Sequence, residues 1–228
     1  MTFSLPDHDE TDIWTIPLDT ELDDISALES LLDSKELERY NKLHPRHKHR
    51  YLISHAACRN ILEKYTSIPA EKIVFITNNF GKPGIKQTPP VYFNLSHSHD
   101  MAALAISSHS NIGIDIEYLK KKPSWLKLAR RFFSNDEVNF LQSQPETRQL
   151  TQFFQIWTRK EAYIKAIGTG LNTPLSSFTV VSGDTVHPLH PTPSTTSWYQ
   201  QDLDLPLLYK GTVVQDTPIK KIRYYSYQ

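Results

Sequence analysis

Hydrophobic and polar residues alternate along Ile112–Tyr118, and this period of two predicts a β-strand with two unlike faces. β-Branched isoleucines fall on one face, whereas Asp115 and Glu117 fall on the other. Carboxylates two residues apart on one strand face have Cα atoms roughly 6.5 Å apart. Because like charges this close repel each other, the pair requires either full solvation or a shared cation.

The same alternation, bounded by turn residues, predicts further strands. They are Asp12–Pro17, Ile73–Thr77, Val91–Ser96, Ala102–Ser107 and Phe178–Ser182, with two more near Leu207–Val214 and Lys221–Tyr227. A period near 3.6 predicts helices at Leu22–Leu32, His49–Tyr65, Trp125–Phe132, Asn135–Gln142 and Thr151–Ile167. The polar turn HSHD at 97–100 predicts an antiparallel hairpin, and no regular βαβ repeat is visible. We therefore predict an α+β fold with largely antiparallel sheets.

The chain has 228 residues, a length that suits one large domain or two small ones. The segment SSHSN at 107–111 predicts a hinge between halves of similar length, and the Pro-, Ser- and Thr-rich stretch Ser182–Ser197 predicts an exposed loop.

Charge and cysteine content exclude several classes of protein. The 25 basic and 25 acidic residues cancel, so no global field favours nucleic acid, and any charged partner must be recognised by a local patch. The single cysteine, Cys58, excludes an intramolecular disulfide framework and fits a reducing compartment. No signal peptide is visible, and no apolar run approaches the roughly 20 residues that span a bilayer. We expect a cytoplasmic protein.

A second informative segment is Thr151–Gly170, a helix with a wide apolar stripe and Gly168 as its C-terminal cap. Glu161 and Lys165 share one face. One interpretation is an ordinary helix pair worth about 0.3–0.5 kcal/mol. The alternative is that Glu161 supplies a third oxygen ligand to a hard divalent cation. Mg²⁺ accepts a few carboxylates together with substrate phosphates, whereas zinc prefers imidazole or thiolate ligands at fixed spacing.

A third segment is HPRHKHR at 44–50, a basic cluster near a predicted helix N-terminus. It is either a solvated basic patch or part of a phosphate pocket, since helix N-termini favour anions. Lys82 in a GKPG turn, and Ser96 and His97 at a strand end, are further candidates for a phosphate site.

Five motifs occur in a fixed order: GKP at 81–83, FNLSHS at 93–98, GIDIE at 113–117, RFFSNDE at 131–137 and WTRKEAYIKAIGTGL at 157–171. Together they resemble the 4′-phosphopantetheinyl transferases, specifically the larger surfactin-type branch, over residues 44 to 178. The resemblance implies two pseudo-symmetric subdomains, each a mainly antiparallel sheet packed against a long helix. The predicted subdomains are 1–109 and 110–228, the second carrying the metal-binding acids.

The resemblance also implies an activity. It is the Mg²⁺-dependent transfer of the 4′-phosphopantetheine arm of coenzyme A to a serine of an apo acyl or peptidyl carrier protein, with release of adenosine 3′,5′-bisphosphate. Mn²⁺ is a possible substitute for Mg²⁺. The implied partners are coenzyme A and the carrier, docked across the cleft between the halves, with no nucleic acid, no membrane and a monomeric state. The sequence does not distinguish carriers of fatty-acid, polyketide and non-ribosomal peptide biosynthesis.

Residue roles follow from the motif positions. The implied metal ligands are Asp115, Glu117 and Glu161. The implied contacts to the phosphates of coenzyme A are Lys82, Ser96, His97, Lys160 and Lys165, with Arg50 on the 3′-phosphate. Glu161, Lys165 and His97 are the implied catalytic residues, with Glu161 as the candidate base for the serine hydroxyl and His97 as the second choice. Lys35, Arg39, Lys42 and Arg46 lie where the family adds basic residues, and they are left unranked.

Two alternatives come from other classes of protein. A non-catalytic anion- or RNA-binding module could use the basic patch at 44–50, but it leaves the three acids unexplained. A nucleotide hydrolase would also use Mg²⁺, but no P-loop pattern is present among the seven glycines.

Overall fold

The structure is a computed structural model that describes residues 3–21, 24–188 and 196–228. The described residues form six α-helices: α1 (Ile25–Leu31), α2 (Ser34–Lys42), α3 (Pro45–Thr66), α4 (Trp125–Phe132), α5 (Asn135–Ser143) and α6 (Glu146–Ile167). They also form eleven strands: β1 (Glu10–Pro17), β2 (Phe75–Thr77), β3 (Pro83–Ile85), β4 (Tyr92–Ser98), β5 (Met101–Ser107), β6 (Ile112–Tyr118), β7 (Phe178–Thr179), β8 (His187–Pro188), β9 (Tyr199–Asp202), β10 (Tyr209–Gln215) and β11 (Lys221–Ser226). The predicted α+β class is confirmed.

Several element boundaries differ from the predictions because helix caps outweigh hydrophobic periodicity. α3 begins at Pro45, four residues earlier than predicted, since proline fits the first helical position. The pattern did not predict α2, which a capping box between Asp33 and Glu36 starts. Residues 22–23 of the predicted first helix and residues 189–195 of the predicted exposed loop lie outside the described residues.

The first sheet has four strands in the order β11-β1-β5-β4. β5 runs antiparallel to β1 and β4, whereas β11 runs parallel to β1. Arg223 fixes this edge by donating to both carboxylate oxygens of Asp12, at 2.6 and 2.9 Å. α3 covers one face of the sheet, where its apolar stripe packs with Trp14 and Leu104. Cys58 is buried in this core, and burial raises the pKa of its thiol.

The second sheet is antiparallel, in the order β6-β10-β9, and α6 covers one of its faces. Phe154, Ala162 and Ala166 of α6 share a buried cluster with Val214 of β10. α6 ends where predicted, at Gly168, whose φ of 69° is the left-handed conformation that glycine adopts without strain.

α6 and β6 approach each other most closely at Gly113. A Cβ atom at this position would lie 2.1 Å from the carbonyl oxygen of Ala162 and 2.3 Å from the nitrogen of Ala166. Both are backbone atoms, so no side-chain rotation relieves the overlap. Only glycine permits this separation of strand and helix.

We expect Gly113→Ala to push α6 away from β6 and to lower the free energy of unfolding by about 3 kcal/mol, the upper part of the usual range for overpacking. The measurement is urea unfolding followed by circular dichroism. Gly84→Ala is the matched control, because a Cβ there comes no closer than 3.9 Å to Ile76. Equal stability of the two variants would contradict the close approach.

The two sheets pack face to face, with Ile13 and Ala105 of the first sheet against Ile114 and Val213 of the second. β6 is an edge strand of its sheet, and side chains of β4 pair with the backbone of its open edge. Three backbone N–H groups of β6 donate to them: Ile114 to Asn94, Ile116 to Ser96 and Tyr118 to Ser98, at 2.8, 3.2 and 3.0 Å. Because buried edge groups must be paired, these bonds hold β6 and the acids it carries in one position.

Each large sheet thus packs against one 22-residue helix, α3 or α6, as the predicted architecture requires. The predicted boundary between 1–109 and 110–228 stays a prediction, and β11 lies on the first sheet although its residues belong to the second half. Across the described ranges, no helix has both the length and the apolar character needed to cross a membrane.

Candidate functional site

Asp115 lies at the junction of the two sheets, on the face of β6 that α6 covers. Its Oδ1 accepts hydrogen bonds from Lys165 Nζ at 2.6 Å and from Ser96 Oγ at 3.0 Å. Its Oδ2 is buried and has no hydrogen-bond partner among the described residues. A buried carboxylate oxygen without a donor is costly, so this atom is a position where a ligand or cation would be stabilising.

Two further carboxylates surround Asp115. Ser98 Oγ donates to Glu117 Oε2 at 2.9 Å, while burial and the charge of Asp115 raise the pKa of Glu117. Burial and the charge of Asp115 also raise the pKa of Glu161 to about 7, with Glu117 adding to the shift and Lys165 opposing it. Acids from β6 and α6 therefore share one electrostatic environment, in which the charge of Asp115 acts on both Glu117 and Glu161.

The acids do not form a closed set of metal ligands. Within the described parts of the chain, no three or more histidine, cysteine, aspartate or glutamate side chains are arranged to hold a metal ion. The Lys165 ammonium is bonded to the Oδ1 of Asp115 that a cation could use. The metal assignment of Asp115, Glu117 and Glu161 therefore stays a prediction.

Lys165 is the central cation of the site. Its ammonium donates to Asp115 Oδ1, to Ser96 Oγ at 3.1 Å and to the carbonyl of Ile114 at 3.1 Å. The side chain retains 28% of its exposure, so solvent can reach it. This arrangement keeps a positive charge beside Asp115 and within electrostatic range of Glu161.

The neighbouring residues Ser96 and His97 have different surroundings. Ser96 is buried, accepts from the Ile116 N–H and gives its one hydroxyl proton to Asp115. That bonding supports a role in orienting Asp115, and the predicted contact of Ser96 with a phosphate stays a prediction. The exposed ring of His97 is partly desolvated by its neighbours, and this effect, followed by the charge of Lys165, lowers its pKa.

The predicted phosphate contact of Lys160 is wrong. Its side chain is 0% exposed, and its ammonium lies 2.7 Å from the Glu137 carboxylate, which is also 0% exposed. The remaining protons go to the carbonyl oxygens of Leu175 and Phe178, at 2.6 and 2.7 Å. Burial lowers the pKa of Lys160 to about 8, while Glu137 raises it. Lys160 fastens α6 to α5 and to the segment before β7, away from solvent.

Lys82 bridges the two halves of the protein. Its ammonium donates to the carbonyls of Ile112 and Ala166, at 2.9 and 2.7 Å, and burial lowers its pKa to about 8. Asn78, on the same hairpin, donates to the carbonyl of Gly168 at 2.8 Å. The predicted contact of Lys82 with a phosphate stays a prediction, since one of its three protons is not engaged by these bonds.

Arg50 lies in the first turns of α3, and its guanidinium is ion-paired with Asp100. The other carboxylate oxygen of Asp100 lies 2.6 Å from His99 Nδ1. The Arg50 side chain retains 39% of its exposure. The guanidinium of Arg50 is therefore accessible to a ligand, but its charge is already balanced by Asp100. The predicted contact of Arg50 with the 3′-phosphate stays a prediction.

A cavity of about 280 Å³ lies between α2, α3 and the strands β2, β3 and β4. Lys35, Arg39 and His55 contribute its basic lining, and Phe75 and Leu95 contribute apolar surface. Arg39 and His55 also lower the pKa of His97, so two residues of the cavity lie within electrostatic range of its ring. Of the four basic residues that the sequence left unranked, Lys35 and Arg39 thus line this cavity, together with the acids Asp33 and Glu36.

Sequence reasoning missed three residues that organise the site. Ser98 and Asn94 share the alternation of Ser96 in FNLSHS, and this period of two was the available signal. Glu137 lies 23 residues from Lys160 in the chain, so no local pattern pairs the two.

The sequence profile of the 4′-phosphopantetheinyl transferase superfamily matches residues 111–214. The 4′-phosphopantetheinyl transferase psf-1 of Bacillus pumilus is 39% identical over 165 residues, covering 69% of this chain and 70% of the relative. HetI of a Nostoc species, also named a 4′-phosphopantetheinyl transferase, is 36% identical over 72% of this chain and 70% of its own length. Sfp of Bacillus subtilis, named likewise, is 38% identical over 60% of each chain.

Among solved structures, the holo-[acyl-carrier-protein] synthase of Thermotoga maritima is similar over 46% of this chain and 61% of its own. The TM-score of this match is 0.38, at 21% sequence identity. The comparisons give the anion- or RNA-binding alternative no support.

Proposed function

Since the chain belongs to the 4′-phosphopantetheinyl transferase superfamily, with relatives of the Sfp type, we propose that it transfers the 4′-phosphopantetheine arm of coenzyme A to a serine of an apo acyl or peptidyl carrier protein. In this reaction the serine Oγ forms a bond to the β-phosphorus of coenzyme A. The bond from that phosphorus to the bridging oxygen breaks, and adenosine 3′,5′-bisphosphate leaves. The hydroxyl proton goes to a base of the enzyme.

The observation that carries the proposal is the buried Oδ2 of Asp115, which has no partner among the described residues, together with two neighbouring acids whose pKa values Asp115 raises. Oxygen donors in an acidic, half-buried cluster fit a hard divalent cation such as Mg²⁺ and do not fit zinc. We assign Asp115, Glu117 and Glu161 to hold it. When bound, the ion would neutralise charge on the diphosphate of coenzyme A.

The remaining roles belong to residues of this chain. Lys165 is suited to donate to a phosphate oxygen. Its ammonium would be available for this bond once a cation replaces it at Asp115 Oδ1. Glu161 is the candidate base, since without a cation burial and the charge of Asp115 raise its pKa to about 7, although a cation held by the same carboxylate would lower it. His97 is the second choice as base, and burial followed by the charge of Lys165 lowers its pKa.

The cavity lined by Lys35 and Arg39 is proposed for the nucleotide end of coenzyme A. Its lining has apolar surface for a base and cations for phosphates, besides the carboxylates of Asp33 and Glu36, and its residues Arg39 and His55 act electrostatically on His97. Phosphoryl transfer requires mainly positioning and charge neutralisation, and this arrangement offers both.

The function is tested by incubating the protein with coenzyme A, Mg²⁺ and a panel of apo acyl and peptidyl carrier proteins. We expect a carrier to gain the mass of one phosphopantetheine arm, with release of adenosine 3′,5′-bisphosphate. Carriers whose acceptor serine is replaced by alanine are the control. No mass gain on any carrier would contradict the proposal.

Arg50→Ala is expected to raise the KM for coenzyme A about tenfold, because a hydrogen bond to a charged group is worth about 1.5–3 kcal/mol. The KM for 3′-dephospho-coenzyme A should change little. Steady-state kinetics with both substrates measure the difference, and Arg148→Ala, at an exposed position of α6, is the control. Equal effects on the two substrates would argue against a contact with the 3′-phosphate.

A further inference from the structure

The cavity between α2 and α3 contains two acids in its lining, Asp33 and Glu36, although it is proposed for a phosphorylated ligand. A buried arginine accounts for their charge. Arg59 Nη2 lies 3.0 Å from Asp33 Oδ2 and 2.6 Å from Glu36 Oε2, and the Arg59 side chain is 0% exposed. Both carboxylates are therefore paired with a cation that a ligand in the cavity does not displace.

The other oxygens of the two carboxylates are also engaged. Asp33 Oδ1 caps α2 by accepting from the N–H groups of Lys35 and Glu36, each at 2.9 Å. Glu36 Oε1 lies 2.8 Å from His55 Nδ1. Burial opposes the ionisation of Glu36, yet the hydrogen bonds from His55 and from the Asp33 N–H lower its pKa below the ordinary value. Glu36 is thus an ionised carboxylate that holds one nitrogen of His55.

His55 has a second ring nitrogen that the protein does not use. Because Glu36 accepts at Nδ1, this nitrogen carries a proton, and the other nitrogen, Nε2, is directed away from the carboxylate. Tyr51 stacks on the imidazole with ring centroids 3.9 Å apart. Across the part of the chain that the structure describes, Nε2 has no hydrogen-bond partner, and the side chain retains 27% of its exposure. The ring is therefore fixed on one side and open to a ligand on the other.

Cations from α2 border the same space. Lys35 and Arg39 are exposed and line the cavity with His55, and the Arg39 guanidinium lies 5.9 Å from the centroid of the Tyr51 ring. His55 and Arg39 also act electrostatically on His97. With the buried arginine counted, the cations outnumber the two carboxylates even before His55 is included. The cavity therefore favours an anion.

We propose that His55 contacts the 3′-phosphate of coenzyme A through Nε2, and that Glu36, held by Arg59, is the positioning residue that orients its ring. This inference rests on the proposed function, in which the diphosphate lies at the acids of β6 and α6 and the nucleotide end lies in the cavity. The phosphate monoester is then the anion that the cavity must hold. A phosphate at Nε2 makes the imidazolium a donor to two anions, the ligand and Glu36, and such charge-assisted bonds are the strong ones.

The test compares the binding of adenosine 3′,5′-bisphosphate and of adenosine 5′-phosphate, which differ only in the 3′-phosphate. In His55→Asn the amide nitrogen can still donate to Glu36, but no atom replaces Nε2. We expect this variant to bind the bisphosphate at least about tenfold more weakly by calorimetry, through loss of a hydrogen bond to a charged group. The Kd for the monophosphate should stay unchanged. His8→Asn, at an exposed position before β1, is the control.

Glu36→Gln tests the positioning residue. Glutamine removes the charge that His55 and Arg59 share, so the ring loses its fixed orientation. We expect the preference for the bisphosphate over the monophosphate to fall, whereas a loss of stability alone would weaken both ligands alike. In the double variant with His55→Asn, the preference should fall no further, because the two residues act through one contact. A full additional loss in the double variant would overturn the positioning role.

A measurement on the unaltered protein does not depend on the folding of a variant. With histidine labelled by a nitrogen isotope, the Nε2 resonance of His55 should shift when adenosine 3′,5′-bisphosphate is added. It should keep its position with adenosine 5′-phosphate. A resonance that does not respond to the bisphosphate would overturn the contact.

The outcomes separate the two proposals. If the unaltered protein modifies a carrier while His55→Asn keeps its full preference for the bisphosphate, the His55 contact alone is overturned. Equal weakening of both ligands in His55→Asn would also overturn it, because the ring would then act on the shape of the cavity. Absence of transfer to any carrier would overturn the proposed function, and the nucleotide titrations would still decide whether His55 binds the phosphate.

Discussion

Asp115→Asn is expected to abolish transfer, with a loss of at least about a hundredfold in kcat, the effect of removing a group that stabilises transition-state charge. Asparagine keeps the shape of the side chain and can still accept from Ser96, but it removes the charge that would hold a cation beside Glu117 and Glu161. Single-turnover transfer to an apo-carrier, at saturating coenzyme A and Mg²⁺, measures the effect.

The same variant should remain folded. Lys165 loses a carboxylate partner, but it retains its bonds to Ser96 and the Ile114 carbonyl and is 28% exposed, so water can solvate it. We expect a thermal unfolding midpoint close to that of the unaltered protein. Asp136→Asn, at an exposed position in the first turn of α5, is the matched control. Activity within tenfold of the unaltered protein would remove Asp115 from the proposed metal site.

Lys160→Met is expected to lower the free energy of unfolding by about 3–5 kcal/mol, because breaking a buried ion pair leaves the other charge unpaired. Glu137 would keep the N–H groups of Ser134 and Val180, at 2.9 and 3.0 Å, but would lose its countercharge. Denaturant unfolding measures the change, and Lys127→Met, at an exposed position of α4, is the control.

A double variant separates the ion pair from simple packing. Lys160→Met with Glu137→Gln should be less destabilised than Lys160→Met alone, since glutamine leaves no unpaired charge and its Oε1 can still accept from one of the two N–H groups. The folded fraction of Lys160→Met should also bind coenzyme A with an unchanged Kd, because Lys160 faces the core. If Lys160→Met were stable and bound coenzyme A more weakly, that result would support the phosphate contact predicted for Lys160, against the buried position seen in the structure.

The predictions that succeeded rest on local periodicity. The alternation at 112–118 predicted β6 with its correct bounds, and the stripe after residue 151 predicted most of α6, including its cap at Gly168. Both patterns arise because one face of the element is buried, and the spacing of apolar residues within the element shows which face that is. The failure at α2 has the same origin, since its start depends on one capping box rather than on a stripe.

Residue roles were less predictable. Lys160 and Lys165 are five positions apart in α6, yet one is buried against Glu137 and the other reaches the cleft beside Asp115. The sequence pattern of α6 does not distinguish these two lysines, because their ion-pair partners, Glu137 and Asp115, lie on other elements. Ser96 is a similar example, since its bonding to β6 exists only once β4 lies beside that strand.

By itself, the sequence determined the element types, the pairing of acids on β6, the family and the candidate chemistry. Only the tertiary structure decided that Lys165 lies beside Asp115 and that Lys160 is buried against Glu137. The reason is physical: the burial of an element's face follows from its own periodicity, whereas the charge, hydration and bonding of a side chain depend on groups that folding brings from distant parts of the chain.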